Sequence, residues 1–118
     1  MSYDKNNIFA KILRGQIPCK KVYENDHVLA FYDVNPQKKL HVLVIPKGEY
    51  IDLNDFNNNA SDNEILKFNK AITHVSNLLG VKEKGYRALT NIGNDGGQEV
   101  PHLHFHIFAG EKIGKMVI

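Results

Sequence analysis

The sequence predicts an α+β fold built from a five-stranded antiparallel sheet and two helices. Five short segments are rich in β-branched and aromatic residues, as strands are. Two other segments repeat apolar residues at steps of three and four, which is typical of amphipathic helices. Strands and helices do not alternate along the chain, so we expect the helices to cover one face of an antiparallel sheet. At 118 residues, the chain matches a single domain spanning residues 1–118.

The first predicted element is a short helix over residues 7–13, whose apolar side chains fall on one side at helical spacing. Gly15 followed by Pro18 is a pattern that ends helices. Extended segments at residues 21–24 and 28–33 come next, and the polar residues between them favour a turn. We therefore expect these two segments to form a hairpin.

The third predicted strand covers residues 40–45, a run of branched apolar residues closed by Pro46. His41 interrupts this run. A histidine between apolar neighbours in a strand is more often a hydrogen-bonded core residue than a catalytic one. The strand by itself therefore does not mark His41 as functional.

The main helix is predicted to follow a polar, asparagine-rich loop at residues 54–63. Ser61 and Glu64 have the spacing of a capping box, so we expect Ser61 to be the N-cap. Apolar residues then recur along one stripe as far as Leu79. Gly80 stands where a left-handed residue ends many helices.

The last two strands are predicted at residues 86–92 and 101–109, joined by turn-forming residues 93–97. In the second of them histidines alternate with large apolar residues, in the order His102, Leu103, His104, Phe105, His106, Ile107. Successive side chains of a strand point to opposite faces. This strand would therefore project three imidazoles from one face while its other face enters the core.

Zinc binding and nucleophilic catalysis are two explanations for such a cluster of imidazoles. At a rise of about 3.3 Å per residue, His102 and His106 are separated by roughly 13 Å along a flat strand, whereas Zn–N bonds are about 2.0 Å long. One ion would strain to reach both rings. Imidazole with an unperturbed pKa of about 6.5 is mostly neutral at pH 7 and can attack phosphorus. We therefore favour nucleophilic catalysis and expect neither a metal nor another cofactor.

Two further features fit a phosphate-containing ligand. Residues 93–98 contain glycines that would let backbone amides approach an anion, although such a segment is more often a plain hairpin turn. Asp33 could accept hydrogen bonds from two ribose hydroxyls, but its position before Pro36 favours a role in starting a turn.

Composition argues against several classes of protein. The formal net charge is +2, and the lysine pairs at residues 20–21 and 38–39 are too short to form the basic face that polymeric nucleic acid requires. The first twenty residues contain no uninterrupted apolar stretch, so we expect neither a signal peptide nor a membrane span. Cys19 is the only cysteine, which excludes an intramolecular disulfide and fits a cytoplasmic location.

Residues 97–108 closely resemble the signature of the histidine triad (HIT) family, in which three histidines alternate with apolar residues. Residues 7–12, 29–34, 41–47 and 91–93 resemble the nucleotide-binding branch of that family. The resemblance implies a two-fold homodimer whose sheets join into one continuous ten-stranded sheet. It also implies hydrolysis of purine nucleoside phosphoramidates (adenylyl-amines), with release of AMP or GMP.

The resemblance also implies roles for individual residues, carried over by position. His104 would be the nucleophile that forms a covalent nucleotidyl intermediate. His106 would contact the α-phosphate and the leaving group, and His102 would support the strand and the imidazole network. His41 and Asn91 join the catalytic set by the same correspondence.

A nucleoside-binding site is implied as well. Its residues would be Ile8, Phe9, Ile12, Phe31, Asp33, Val34, Leu43, Asn91, Gly97, Gln98, Glu99, His104 and His106. Asp33 would bind the ribose hydroxyls, and Gly97 with Glu99 would lie beside the phosphate. Glu99 stands where the family often has serine, and a carboxylate there is unfavourable unless its side chain points away from the phosphate.

Some bacterial relatives in this family hold zinc with two cysteines and a histidine. This chain has Asn7, Ala10 and Glu49 at those positions, so we expect that site to be lost. Two other functions stay open: hydrolysis of dinucleoside polyphosphates by the same nucleophile, and a weakly active purine-nucleotide-binding scaffold. In this branch of the family the C-terminal segment helps to determine substrate preference. The short tail of this chain, residues 110–118, does not distinguish among these functions.

Overall fold

The computed structural model describes residues 2–117. Met1 and the last residue of the tail, Ile118, lie outside the described residues. The elements in chain order are α1 (Ile8–Leu13), β1 (Lys21–Glu24), β2 (Val28–Tyr32), β3 (Leu40–Pro46), α2 (Leu53–Asn59), α3 (Asp62–Leu79), β4 (Arg87–Leu89) and β5 (Phe105–Ala109). The strands form one sheet in the order β1-β2-β3-β5-β4, and every neighbouring pair is antiparallel. The predicted α+β class and five-stranded sheet are confirmed. No helix within residues 2–117 combines the length and apolar character needed to cross a membrane.

The two faces of the sheet carry different apolar clusters, because side chains alternate along β2 and β3. Val28, Ala30, Val42 and Val44 pack with α3 on one face. On the other face Leu29, Phe31, Leu43 and Ile45 form a second cluster with Phe9 of α1. The expectation that the helices cover one face is therefore wrong: α1 and α3 lie on opposite sides of the sheet.

The third helix, α2, occupies part of the segment that was predicted to be a loop. Its sequence is poor in strong helix formers, so intrinsic propensity does not explain it. Two contacts do. The Asp52 side chain accepts a hydrogen bond from the Asp55 N–H at 2.8 Å and caps the first turn. Phe56, only 2% exposed, anchors the helix in the core against Tyr50 and Phe68.

The predicted ends of α3 are confirmed. Ser61 is the N-cap, and it forms a reciprocal capping box with Glu64. Gly80 follows the helix with a φ of 71°, in the left-handed region that glycine adopts without a Cβ clash. Both signals are local in sequence, which is why they could be identified without tertiary information.

Replacing Ser61 with alanine is expected to lower the free energy of unfolding by about 1 kcal/mol, because the Glu64 N–H then loses its side-chain acceptor. Urea denaturation followed by circular dichroism would measure this loss. Ser61→Asp is the matched control, since aspartate also caps well and should change stability by less than about 0.5 kcal/mol. Equal losses in both variants would contradict this role for the cap.

β4 and β5 are shorter than predicted. Residues 101–104 do not pair as a strand, so the prediction that His102 and His104 lie within β5 is wrong. Other partners hold this stretch: the Leu103 N–H donates to the Tyr50 carbonyl at 2.8 Å, and the Thr90 hydroxyl donates to the His104 carbonyl at 2.7 Å. The alternation of faces persists, because Leu103 enters the α3 cluster whereas His104 contacts Phe9 on the opposite face.

Candidate functional site

Four histidines gather on the face of the sheet that carries α1. β3 contributes His41, β5 contributes His106, and the stretch just before β5 contributes His102 and His104. Three of these rings are almost completely buried, with exposures of 2% for His41, 0% for His102 and 5% for His104. Within residues 2–117, no buried side-chain nitrogen or oxygen lacks a hydrogen-bond partner. The partners can therefore be used to assign the proton on each ring.

His104 presents an unprotonated nitrogen. Its Nδ1 lies 2.7 Å from the backbone carbonyl oxygen of His102. A carbonyl oxygen can only accept, so Nδ1 carries the proton and Nε2 of the neutral ring keeps its lone pair. The ring packs edge-on against Phe9, with centroids 4.9 Å apart, and against His106 at 5.0 Å. The orientation of the His104 ring is thus fixed by two aromatic neighbours and one hydrogen bond.

Both ring nitrogens of His102 form hydrogen bonds within the protein. Its Nε2 donates to the Pro46 carbonyl at 2.9 Å, which leaves Nδ1 to accept from the Tyr3 hydroxyl. Its own carbonyl holds the His104 ring. Tyr3 lies 99 residues away in sequence, and no local pattern marked it as part of the site.

Tyr3→Phe is expected to lower the free energy of unfolding by about 1–2 kcal/mol, because it leaves Nδ1 of the fully buried His102 without a donor. Chemical denaturation of the purified variant measures this. Tyr32→Phe is the control for loss of a phenolic hydroxyl on the opposite face, where Tyr32 packs against the α3 cluster. An equal loss in the control would argue against the hydrogen bond as the cause.

His41 and His106 form a directed pair. The Gln37 backbone N–H donates to Nδ1 of His41 at 3.2 Å, so the proton of the neutral ring lies on Nε2. That Nε2–H faces Nδ1 of His106 at 2.9 Å and a carboxylate oxygen of Asp33 at 3.4 Å. Nδ1 of His106 therefore accepts, and the neutral His106 ring carries its proton on Nε2. The site thus combines a bare imidazole nitrogen with an adjacent imidazole N–H.

Burial keeps these rings neutral. It lowers the pKa of His102 to about 4. Burial, together with the neighbouring His104 and His41, lowers the pKa of His106 to about 4. The pKa of His104 is lowered by burial despite the hydrogen bond to the His102 carbonyl. Burial also lowers the pKa of His41, against the opposing effect of Asp33. At neutral pH the cluster is therefore uncharged and His104 retains its lone pair.

Comparison with known proteins agrees with this arrangement. A family model described as the HIT domain matches residues 14–113. The chain belongs to the HIT family. It is 54% identical over 116 residues to an uncharacterized 13.2 kDa HIT-like protein of Azospirillum brasilense, with 98% of this chain and 95% of the relative covered. It is 36% identical over 114 residues to the purine nucleoside phosphoramidase of Escherichia coli K12, with 96% and 94% covered. A solved HIT family hydrolase from Clostridium thermocellum matches with a TM-score of 0.87 at 36% identity, covering 98% of this chain and 99% of that chain.

In this HIT protein, ligating atoms of Asp33, His41 and His106 lie within 4.8 Å of one another, close enough to suggest a metal site. The hydrogen bonds argue against one. A metal on Nε2 of His41 requires a neutral ring with its proton on Nδ1, and metal-bound histidines usually donate that second N–H to an acceptor. Here Nδ1 instead accepts from the Gln37 N–H. As arranged, these donors do not fit a divalent ion.

The positions that correspond to the zinc ligands of some bacterial HIT proteins have other contacts here. The Asn7 side chain accepts from the Ala10 N–H at 2.9 Å and caps α1. Glu49 lies 3.8 Å from the Lys5 ammonium in an exposed ion pair. Both residues thus have structural partners that require no metal.

Several of the predicted nucleoside-binding residues of this HIT chain lie on the α1 face of the sheet, where Phe9 packs against His104. Phe9, Phe31 and Leu43 are buried in the α1-face cluster, and Ile12 packs against it. Ile8 and Val34 are 44% and 83% exposed, respectively. Asp33 does start a turn, since one carboxylate oxygen accepts from the Asn35 N–H at 2.9 Å, while the other faces His41. Asn91, after β4, is half-buried.

The glycine-rich segment before the histidines is held mainly by bonds to itself. The N–H groups of Gly97 and Gln98 donate to the carbonyls of Asn94 and Gly93, and the Gly93 N–H donates to the Gln98 side chain. The Gln98 amide in turn donates to the Ile51 carbonyl at 2.7 Å. These three backbone amides are therefore not free to bind an anion, which agrees with the plain turn that the sequence favours for this segment. Glu99 is exposed, and its charge opposes the lowering of the His104 pKa.

Proposed function

We propose that this HIT family hydrolase cleaves the P–N bond of purine nucleoside phosphoramidates through a nucleotidyl intermediate on His104, releasing AMP or GMP. The observation that carries the proposal is the protonation pattern of two adjacent rings. Nδ1 of His104 is tied to a carbonyl, which leaves Nε2 bare, and the neighbouring His106 keeps an N–H on Nε2. A nucleophile next to a hydrogen-bond donor is the pair that phosphoryl transfer requires.

In the first step Nε2 of His104 attacks the α-phosphorus, an N–P bond forms, and the bond from phosphorus to the leaving amine breaks. The amine nitrogen takes up one proton from solvent, while the His106 N–H donates a hydrogen bond to the phosphoryl oxygen or the leaving amine. In the second step water attacks the same phosphorus, the His104–phosphorus bond breaks and its electron pair returns to Nε2. One water proton is released, so the two steps together consume one water.

Substrate class is proposed from the surroundings of the ring. The apolar cluster of Phe9, Phe31 and Leu43 adjoins His104 and suits a flat base with few polar contacts. Asp33 would bind the ribose hydroxyls with the carboxylate oxygen that faces the site. The Escherichia coli relative named purine nucleoside phosphoramidase supports the P–N bond as the one cleaved. Asn91 and Glu99 would lie at the phosphate end, while Gly97 and Gln98 would shape the adjoining loop through the hydrogen bonds they form within it.

We also propose a cytoplasmic homodimer. β4 lies at the edge of the sheet, so its outer backbone groups could pair with a second copy. Pairing two such edges would give the continuous ten-stranded sheet that the family resemblance implies. Sedimentation at micromolar concentration tests this separately from the chemistry.

The chemical proposal is tested by mixing the protein with adenosine 5′-phosphoramidate, quenching the reaction with acid-free denaturant and mapping the adduct by mass spectrometry. We expect an adenylyl group on the peptide that contains His104, and AMP as the product. AMP release with no adduct on any histidine would overturn the covalent route. Faster turnover of diadenosine polyphosphate than of the phosphoramidate would instead favour hydrolysis of dinucleoside polyphosphates, with the same nucleophile.

A further inference from the structure

The segment between β2 and β3, residues 33–39, wraps around the ring of His41. On one side the Gln37 backbone N–H donates to Nδ1 of His41 at 3.2 Å. On the other side an oxygen of Asp33 lies 3.4 Å from Nε2. The segment is held in place by the Asp33 N–H, which donates to the His41 carbonyl at 3.0 Å. A donor thus faces one nitrogen of His41 and an acceptor faces the other.

This arrangement fixes the direction of a chain of hydrogen bonds. A backbone N–H can only donate, so Nδ1 of His41 must keep its lone pair and Nε2 must carry the proton. Nε2–H then donates to Nδ1 of His106 at 2.9 Å, and the His106 proton must be on Nε2. Reversing His106 would require a proton on Nδ1 of His41, directly opposite the Gln37 N–H.

We propose that the backbone N–H of Gln37 is a positioning group that sets the tautomer of His41 and, through it, presents the N–H of His106 to the substrate. Its catalytic consequence rests on the function proposed above. With the opposite tautomer, His106 would turn a lone pair toward an anionic phosphate and could not donate a hydrogen bond to it. The same N–H also disfavours the doubly protonated form of His41, because it points at the nitrogen that would take the second proton. The ionisable groups that face His41 are Asp33 and His106, and His104 lies next to His106.

The test compares Gln37→Pro, which removes the backbone N–H, with Gln37→Ala, which keeps it. In ligand-free protein with ¹⁵N-labelled histidine, nuclear magnetic resonance distinguishes protonated from bare ring nitrogens. We expect Nδ1 of His41 to be bare in the wild type and in Gln37→Ala. In Gln37→Pro the pKa of His41 should rise by about one unit, because the opposing N–H is gone. The acid limb of the kcat profile should move to higher pH by a similar amount, with KM changed by less than about twofold.

A proton on Nδ1 of His41 in the wild type would overturn the proposal, and so would equal His41 titration in the two variants. If Gln37→Pro does not fold, an amide-to-ester replacement at residue 37 removes the same N–H while keeping the side chain. The ring spectra are recorded without substrate, so they decide this proposal even if no nucleotidyl adduct forms. Conversely, an adduct on His104 with unshifted His41 spectra would leave the proposed function intact and reject the role of Gln37.

Discussion

His104→Ala is expected to lower kcat/KM for adenosine 5′-phosphoramidate by about 10⁴-fold or more, because removing a covalent nucleophile removes the reaction path itself. Neither His102 nor His41 can take over. His102 uses both ring nitrogens in hydrogen bonds within the protein. His41 uses Nδ1 and Nε2 toward Gln37 and His106. Release of AMP, followed by chromatography, measures the effect.

The control for this substitution is His74→Ala, which removes an exposed histidine of α3 that packs against Tyr23. α3 lies on the sheet face opposite the cluster, so turnover should stay within about twofold of the wild type. Because His104 is buried, circular dichroism and thermal melts must accompany the assay to show that the variant folds. A folded His104→Ala protein with turnover like that of the control would rule out the nucleophile assignment.

Features whose cause is local in sequence could be predicted well. The branched residues of β2 and β3, the capping box at Ser61 and the left-handed Gly80 are each specified within a few neighbouring residues. The alternation of His104 with Leu103 predicted which side chains face the site and which enter the core. The prediction identified the cluster of histidines, although it could not give the proton positions.

Features that depend on distant contacts could not be predicted from the sequence. Phe56 anchors α2 through packing against Phe68, which overrides a poor helix propensity. β5 starts at Phe105, later than predicted, because hydrogen bonds to Tyr50 and from Thr90 replace strand pairing around His104. Tyr3 is brought to His102 only by the complete fold.

The contact of Gln37 with His41 also depends on the path of a loop, although the two residues are close in sequence. No feature of Gln37 as a residue type predicts it, because the group involved is the backbone N–H. Together with the Tyr3 hydroxyl and the His102 carbonyl, it determines which ring nitrogens carry protons. The reactivity of the site is therefore set by groups that a search for catalytic side chains does not find.

Stability is expected to fall as the pH is lowered from about 6.5 toward 4, and His102 should account for much of the fall. Burial lowers the His102 pKa to about 4 in the folded protein, whereas an unfolded histidine titrates near 6.5. Between these values the unfolded chain binds a proton that the folded chain does not, so acid favours unfolding. The contribution is complete above about pH 6.5, and about 3 kcal/mol is lost by pH 4.

Urea unfolding at several pH values separates this effect from that of the acidic groups. Glu24, whose two lysine partners lower its pKa to about 2, loses its contribution mainly below the ordinary glutamate pKa of about 4.3. Between pH 5 and 6.5 the histidines should therefore dominate the pH dependence of the unfolding free energy. His102→Gln removes the titrating ring, so the slope of the unfolding free energy against pH should fall by up to about 1.4 kcal/mol per pH unit relative to the wild type. If His102→Gln kept the wild-type slope, the His102 ring would have the same pKa in the folded and unfolded states. Burial would then not keep that ring neutral, which would contradict the neutral cluster that the proposed nucleophile requires.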